Sequence, residues 1–400
     1  MQQNLGMKAF VIAAGVTVNT LLLTAALLWI DPFARVNSVL DAAFGAAPRW
    51  TQVTNLASDP RIQDIYHGEH PLTAFQSAGE YWRTQPGKRR VVLIGNSQMF
   101  SLSLAPGELP KSSLEHTYPD LVMARLESQG VLTYRLAAPG LSFCEALYEI
   151  DYFLGHPGLR PSLVLLQVNY QALWNSGIRE SLLELLDDPR FRQQATRRAE
   201  SGKPYADDFA FALRKYDERA TRSGSEGPVK QHGFGSSAES FTRRELPAVP
   251  IFRRRPEVKD SFEEMLYRAR IYFLRIKPST ARSIIGPQLI RSKAAVEAIA
   301  ESCRNSGVRL AIFTAPVNPA VSLYGSSDDK SRYETFVRTI AERYHLAVAD
   351  LESSVADKLW GRQLNVPDPM HMGRTAQAVV AGEVAPFIQE VLGQDALEGQ

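Results

Sequence analysis

Hydrophobic positions in this chain gather into short unbroken runs rather than alternating ones. Arg90–Ile94, Leu132–Ala137, Leu163–Val168, Arg309–Thr314 and Leu346–Leu351 are the clearest. A continuous apolar run bounded by turn residues fits a strand covered on both faces. Between the runs, apolar residues recur at helical spacing over 117–129, 143–155, 291–306 and 331–344, and a last helix is predicted over 374–392. Strand and helix in alternation predict βαβ units, so the expected fold class is α/β, a parallel sheet layered between helices. The alternation breaks once, from 171 to 290. That stretch reads as a mostly helical insertion with a Gly- and Ser-rich loop near 222–240.

One run is of a different kind. Ala9 to Ile30 is 22 residues without a charge. As a helix it extends roughly 33 Å, enough for a hydrocarbon core of about 30 Å. It is therefore expected to cross a membrane once, as an N-terminal anchor. Lys8 favours the N-terminal end in the cytoplasm, with the bulk of the chain outside. A cleaved signal peptide is the other reading. Its apolar region usually spans about 7–15 residues and ends at a small-x-small site, and Leu27-Leu28-Trp29-Ile30-Asp31-Pro32-Phe33 offers no such site. Thr17, Asn19, Thr20 and Thr24 mark either a packing face against other membrane helices or tolerated polar residues.

Composition narrows the function classes. Of 400 residues, 44% are hydrophobic and 22% charged, ordinary for a globular chain. A formal net charge of +2 argues against a nucleic-acid partner. Two cysteines exclude a disulfide-dense scaffold and a Cys-based zinc cluster. Cys144 and Cys303 either pair in an oxidising compartment or remain two buried apolar residues. Charge is uneven, with 22 basic against 16 acidic residues in 171–290. Arg253-Arg254-Arg255 there reads as a solvated loop or as a contact for an anionic polymer or lipid headgroups.

Ligands and reacting groups in open α/β sheets gather at the carboxyl ends of the strands. The first strand ends in Gly95-Asn96-Ser97-Gln98, the second in Ala138-Pro139-Gly140-Leu141-Ser142, the third in Gln167-Val168-Asn169-Tyr170. Val366-Pro367-Asp368-Pro369-Met370-His371 precedes the last helix. A serine nucleophile needs a base, and the base needs an orienting group. His371 lies three residues after Asp368 on what is expected to be one loop, so the carboxylate can reach one ring nitrogen while the other faces Ser97. A tetrahedral oxyanion needs preorganised donors. The backbone N–H groups of Ser97 and Gly140 and the side-chain amide of Asn169 would supply them. This chemistry calls for no metal and no organic cofactor.

These four blocks resemble the SGNH (GDSL-like) hydrolase superfamily, named for its Ser, Gly, Asn and His. The resemblance covers about 88–170 and 291–395. It implies a flavodoxin-like three-layer domain with Ser97 as nucleophile, His371 as base, Asp368 as its orienter, and Gly140 and Asn169 as oxyanion donors. Two blocks depart from the family pattern. Gly-Asp-Ser is Gly95-Asn96-Ser97 here, and Gly-x-Asn-Asp is Gln167-Val168-Asn169-Tyr170. Such variants recur in the membrane-anchored branch that O-acylates extracytoplasmic polymers, as in alginate and peptidoglycan acetylation and teichoic-acid D-alanylation. That likeness implies an acyltransferase at the inner (cytoplasmic) membrane with a periplasmic domain, a carbohydrate polymer as acceptor, and a multi-span membrane-bound O-acyltransferase as partner. A carbohydrate acetylesterase or lipase of the same fold, or an inactive polysaccharide-binding subunit, are the rival readings. The expected organisation is 1–8 cytoplasmic, 9–30 anchor, 31–87 connector, 88–170 first half-domain, 171–290 insertion and 291–395 second half-domain.

Plainer roles stand beside these. Ser97 suits a helix N-cap, Asn169 an Asx-turn, Gly140 an ordinary turn, and His371 a packed loop position between two methionines. Asp350 competes with Asp368 as the acid. Tyr170, Trp174 and Phe143 either stack on a sugar ring or pack. His67 and His70 lack further ligands nearby and read as surface loop residues.

Overall fold

The computed structural model describes residues 30–44, 51–52, 62–64, 71–102, 105, 117–224, 258, 261–262, 265–266, 281–363 and 366–394. The expected membrane span lies outside the described residues except for Ile30, as do His67, His70 and Arg253–Arg255. Among the described residues no helix is long and apolar enough to cross a membrane.

The chain divides into two compact units, residues 48–221 with 278–400, and residues 1–47 with 222–277. The larger unit is built on a six-stranded parallel sheet. Its strands are β1 (Ile62–Asp64), β2 (Arg89–Gly95), β3 (Val131–Ala137), β4 (Leu163–Val168), β5 (Arg309–Thr314) and β6 (Ala347–Asp350), in spatial order β1-β3-β2-β4-β5-β6. Without the edge strand β1 this is the doubly wound flavodoxin order, which reverses direction beside β2.

Both faces are covered. Val92 and Ile94 of β2 point into one apolar layer and Val91 and Leu93 into the other, as period-two alternation requires. The first layer is supplied by α2 (Pro71–Arg83), α4 (Phe143–Gly155), α7 (Gly286–Asn305) and α8 (Ser327–Tyr344), and the second by α3 (Tyr118–Glu127) and α9 (Arg374–Gly393). The remaining helices are α1 (Pro32–Phe44), α5 (Pro189–Ala199) and α6 (Ala206–Gly224). Two helix starts follow from side chains alone. Ser142 and Glu145 form a capping box at α4, and Thr117 and Asp120 form one at α3.

Three boundaries differ from expectation. Part of the 31–87 connector belongs to the sheet domain, because Phe75, Ala78 and Trp82 share one face of α2 and are buried in the first layer, and β1 pairs with β3. Residues 170–221 do not stand apart as an insertion, since Leu182, Leu186, Phe191 and Phe209 are buried in that same layer. Asp368 and His371 lie on a hairpin rather than a loop. It is formed by β7 (Trp360–Gln363) and β8 (Val366–Met372), and the pairing is broken between Pro367 and Met372. Pro367 and Pro369 cannot donate ladder bonds, so the strand bulges where the chemistry-bearing residues sit.

In the smaller unit, Asp31 Oδ1 accepts from Ala34 N at 3.0 Å at the start of α1. Asn37 Nδ2 donates to Ser261 O at 2.9 Å, and the Phe33 and Phe262 rings lie 4.9 Å apart.

Candidate active site

Register places the predicted blocks at one edge of the sheet. Gly95 pairs with Ala137 across β2 and β3, Ile94 with Leu166 across β2 and β4, and Val168 with Thr314 across β4 and β5. Ser97, Gly140 and Asn169 therefore all follow strands that end at the same level. A small cavity lined by Gly95, Asn96, Gln167 and Asn169 lies between the ends of β2 and β4.

Ser97 opens a single 3₁₀ turn, Ser97–Met99. The cap is Asn96, whose Oδ1 accepts from Gln98 N at 3.0 Å. This corrects the plainer reading of Ser97 as the cap and explains why Asn can stand where the resemblance implies Asp, since the cap needs a side-chain oxygen and no charge. Ser97 Oγ is left for His371 Nε2, at 2.9 Å. His371 Nδ1 lies 3.2 Å from both oxygens of Asp368. A carboxylate only accepts, so Nδ1 carries the proton and Nε2 the lone pair that receives the Ser97 hydroxyl. The Ser97 N–H, in the first turn, has no protein acceptor among the described residues, as the opening of a helix leaves it.

Burial is graded along this line, from half-buried Ser97 to His371 at 9% exposure and Asp368 at 0%. Burial alone would raise the Asp368 carboxyl. The His371 charge and hydrogen bond, with the backbone N–H groups of His371 and Met370 at 2.9 and 3.0 Å, outweigh it and hold the group below the ordinary carboxylate value. Asp368 is thus charged at neutral pH. Asp350, the competing acid, is committed elsewhere. Its Oδ1 accepts from Thr314 Oγ1 at 2.5 Å and Glu352 N at 3.1 Å.

Gly140 follows β3 in a left-handed conformation, φ +59°, which a side chain rarely adopts. Its turn is tied down by Arg179, which donates to Pro139 O at 3.3 Å and pairs with Glu145 at 2.5 Å. Asn169 caps the 3₁₀ helix Tyr170–Trp174, its Oδ1 accepting from Ala172 N at 2.8 Å. That bond fixes the amide and leaves Nδ2 as its donor end. The capping role and the oxyanion role are compatible, because they use opposite ends of one side chain.

The aromatic residues beside the site differ in their burial. Tyr170 is 1% exposed, donates to Arg282 O at 2.5 Å and packs on Tyr324 with ring centroids 4.5 Å apart. Trp174 carries the Arg282 guanidinium 5.0 Å above its ring. Phe143 is buried against Phe336. Tyr170 and Phe143 are packing residues here, and Trp174 is half-buried against the first layer. Cys144 and Cys303 are free and buried, and desolvation pushes both thiols well above their ordinary value, so neither is a nucleophile at neutral pH. Among the described residues no group of three or more His, Cys, Asp and Glu is placed to hold a metal ion.

Sequence reasoning missed three buried amides. Asn318 Nδ2 donates to Asp368 O at 2.8 Å, and its backbone N–H to Pro369 O at 3.2 Å. Gln98 and Gln167 link the Ser97 turn to the His371 segment. One signal was available. Gln167 sits in an otherwise apolar buried strand, and a buried polar side chain must find partners. Gln167 also explains Gly95. A β-carbon there would meet the Gln167 Oε1 and come within 2.8 Å of its Cβ and 2.7 Å of Met99 Cε.

The fold and site together define a three-layer α/β domain with a Ser–His–Asp hydrogen-bonded line at the carboxyl edge of its sheet. No protein-family model and no curated protein matches the chain. Several solved structures overlap it. The psychrotrophic esterase EstA from Pseudoalteromonas sp. is 10% identical, with 76% of this chain and 100% of that one covered and a TM-score of 0.36. The acetylxylan esterase Axe2 from Geobacillus stearothermophilus is 11% identical over 76% and 96%, TM-score 0.35. A putative acylhydrolase from Bacteroides fragilis is 11% identical over 79% and 96%, TM-score 0.34. The functional reading rests on the side-chain geometry.

Proposed function

We propose that this chain is an SGNH-type serine enzyme of acyl-ester chemistry, and that it transfers an acyl group, most simply acetyl, to a hydroxyl of a carbohydrate polymer. The observation that carries the reading is the line Ser97 Oγ, His371 Nε2, His371 Nδ1, Asp368, with spacings of 2.9 and 3.2 Å. Ser97 Oγ attacks the acyl carbon of the donor as its proton passes to His371 Nε2, and Asp368 stabilises the imidazolium. The oxyanion takes hydrogen bonds from Ser97 N–H, Gly140 N–H and Asn169 Nδ2. Collapse expels the leaving group, which takes the proton from His371, and leaves an ester on Ser97. A sugar hydroxyl then attacks that ester as its proton passes to His371 Nε2. The intermediate collapses with the acyl–Ser97 bond breaking and His371 returning the proton to Ser97 Oγ, which leaves the acyl group on the sugar and the enzyme restored.

The anchored, outside-facing arrangement is part of the proposal. Its support is the 22-residue uncharged run Ala9–Ile30 behind Lys8. Transfer rather than hydrolysis is favoured by the variant first and third blocks, and a multi-span acyltransferase would deliver the acyl group. The test is covalent labelling of the full-length chain by a fluorophosphonate, beside Ser97→Ala, with the labelled peptide mapped by mass spectrometry. Labelling at Ser97 alone supports the mechanism. A folded protein that takes no label overturns it. Incubation with an acetyl ester and an oligosaccharide then separates the two acceptors, since acetylated sugar marks a transferase and free acetate alone an esterase.

A further inference from the structure

Ser97 and His371 stand 274 positions apart in sequence, and their two segments are joined by a line of buried amides as well as by the catalytic hydrogen bond. Asn96 N donates to Gln167 Oε1 at 3.0 Å, and Gln167 Nε2 to Gln98 Oε1 at 2.8 Å. Gln98 Nε2 donates to Met370 O at 2.7 Å and to Pro316 O at 2.8 Å. The line begins at the residue before Ser97 and ends at the residue before His371. Every bond points the same way, donor to acceptor, so each polarises the next. Gln98 is 0% exposed and Gln167 2% exposed, so water does not compete. The side branch through Pro316 reaches the loop whose Asn318 holds the Asp368 and Pro369 carbonyls.

We propose that Gln98 and Gln167 are positioning residues that set the approach of Ser97 Oγ to His371 Nε2. This rests on the reading of Ser97 and His371 as nucleophile and base. The third-block departure then acquires a purpose, because the position held by Gln167 extends a side chain across the sheet edge into the room that Gly95 leaves open. An apolar side chain of the same length would fill that room. It would also leave the Asn96 N–H or the Met370 and Pro316 carbonyls unpaired in a dry interior, a state relieved by moving the two segments apart. Misplacement of reacting groups by about 1 Å costs on the order of 100-fold in rate.

The experiment compares the full-length wild type with Gln98→Met, Gln167→Met and Gln167→Glu. Gln167→Glu keeps an acceptor for Asn96 N. When protonated it retains a donor to Gln98 and when ionised it loses that donor, so its labelling rate across pH decides the matter if the methionine variants do not fold. Thermal midpoints establish folding. The fluorophosphonate labelling rate is taken across pH, and the low-field proton resonance of His371 Nδ1–H is recorded. The expected result is folded variants labelled about 10- to 100-fold more slowly, with that resonance displaced. Folded variants labelled within about twofold of wild type, with the resonance unmoved, overturn the proposal. A wild type that takes no label refutes the enzymatic reading instead. The resonance alone then decides the relay, with displacement supporting it and constancy overturning it.

Discussion

Glu149 lies on α4, 0% exposed, with neither carboxyl oxygen hydrogen-bonded among the described residues. Desolvation, with the nearby Glu145 charge adding and Arg179 opposing, pushes it from an ordinary 4.5 up to about 8. The folded protein therefore keeps a proton that the unfolded chain has lost between those two values. The folded state binds more protons there, so stability falls as pH rises. Each pH unit costs about 1.4 kcal/mol, so the interval of about 3.5 sums to roughly 5 kcal/mol as an upper figure. Glu149→Gln removes the titration and keeps the shape. Its amide adds a fixed cost that does not vary with pH, so the difference between the two proteins is read as a slope. Urea unfolding followed by circular dichroism at pH 5, 6, 7 and 8 measures it. The variant is expected to gain on wild type by about 1 kcal/mol per pH unit, and to gain little more above pH 8. Parallel stability profiles across this range would refute the claim that Glu149 is held neutral.

Three other expectations follow from the site. Gly95→Ala should destabilise by about 1–3 kcal/mol through overpacking against Gln167 and Met99, and Gln167→Gly should relieve part of that, so a double-mutant cycle in urea is non-additive. Independent, additive costs would separate the two residues. His371→Ala and Asp368→Ala should both slow labelling, His371→Ala the more, and equal rates in wild type and both variants would sink the triad. Because the Asp368 value is depressed, its contribution to stability is present above the ordinary 3.8 and is lost as pH falls through the folded value.

Most of the sheet was legible in the sequence because a strand buried on both faces announces itself as an apolar run, as Leu163–Val168 does. β6 shows the limit of that signal, being shorter than the run that suggested it. β1 carries Gln63 and Asp64 and gave no such run, and only its pairing with β3 makes it a strand. The triad residues were nameable because each sits in a short local pattern, and the chemistry restricts residue types at a strand end. Local pattern could not place Asp368 and His371 on a bulged hairpin, nor bury Tyr170 against Tyr324. Nor could it show that Gln98, Gln167 and Asn318 close the gap between segments hundreds of positions apart. Those are questions of which buried donor meets which acceptor. The amino-acid order supplies the donors and the need to satisfy them, and only the packed chain chooses their partners.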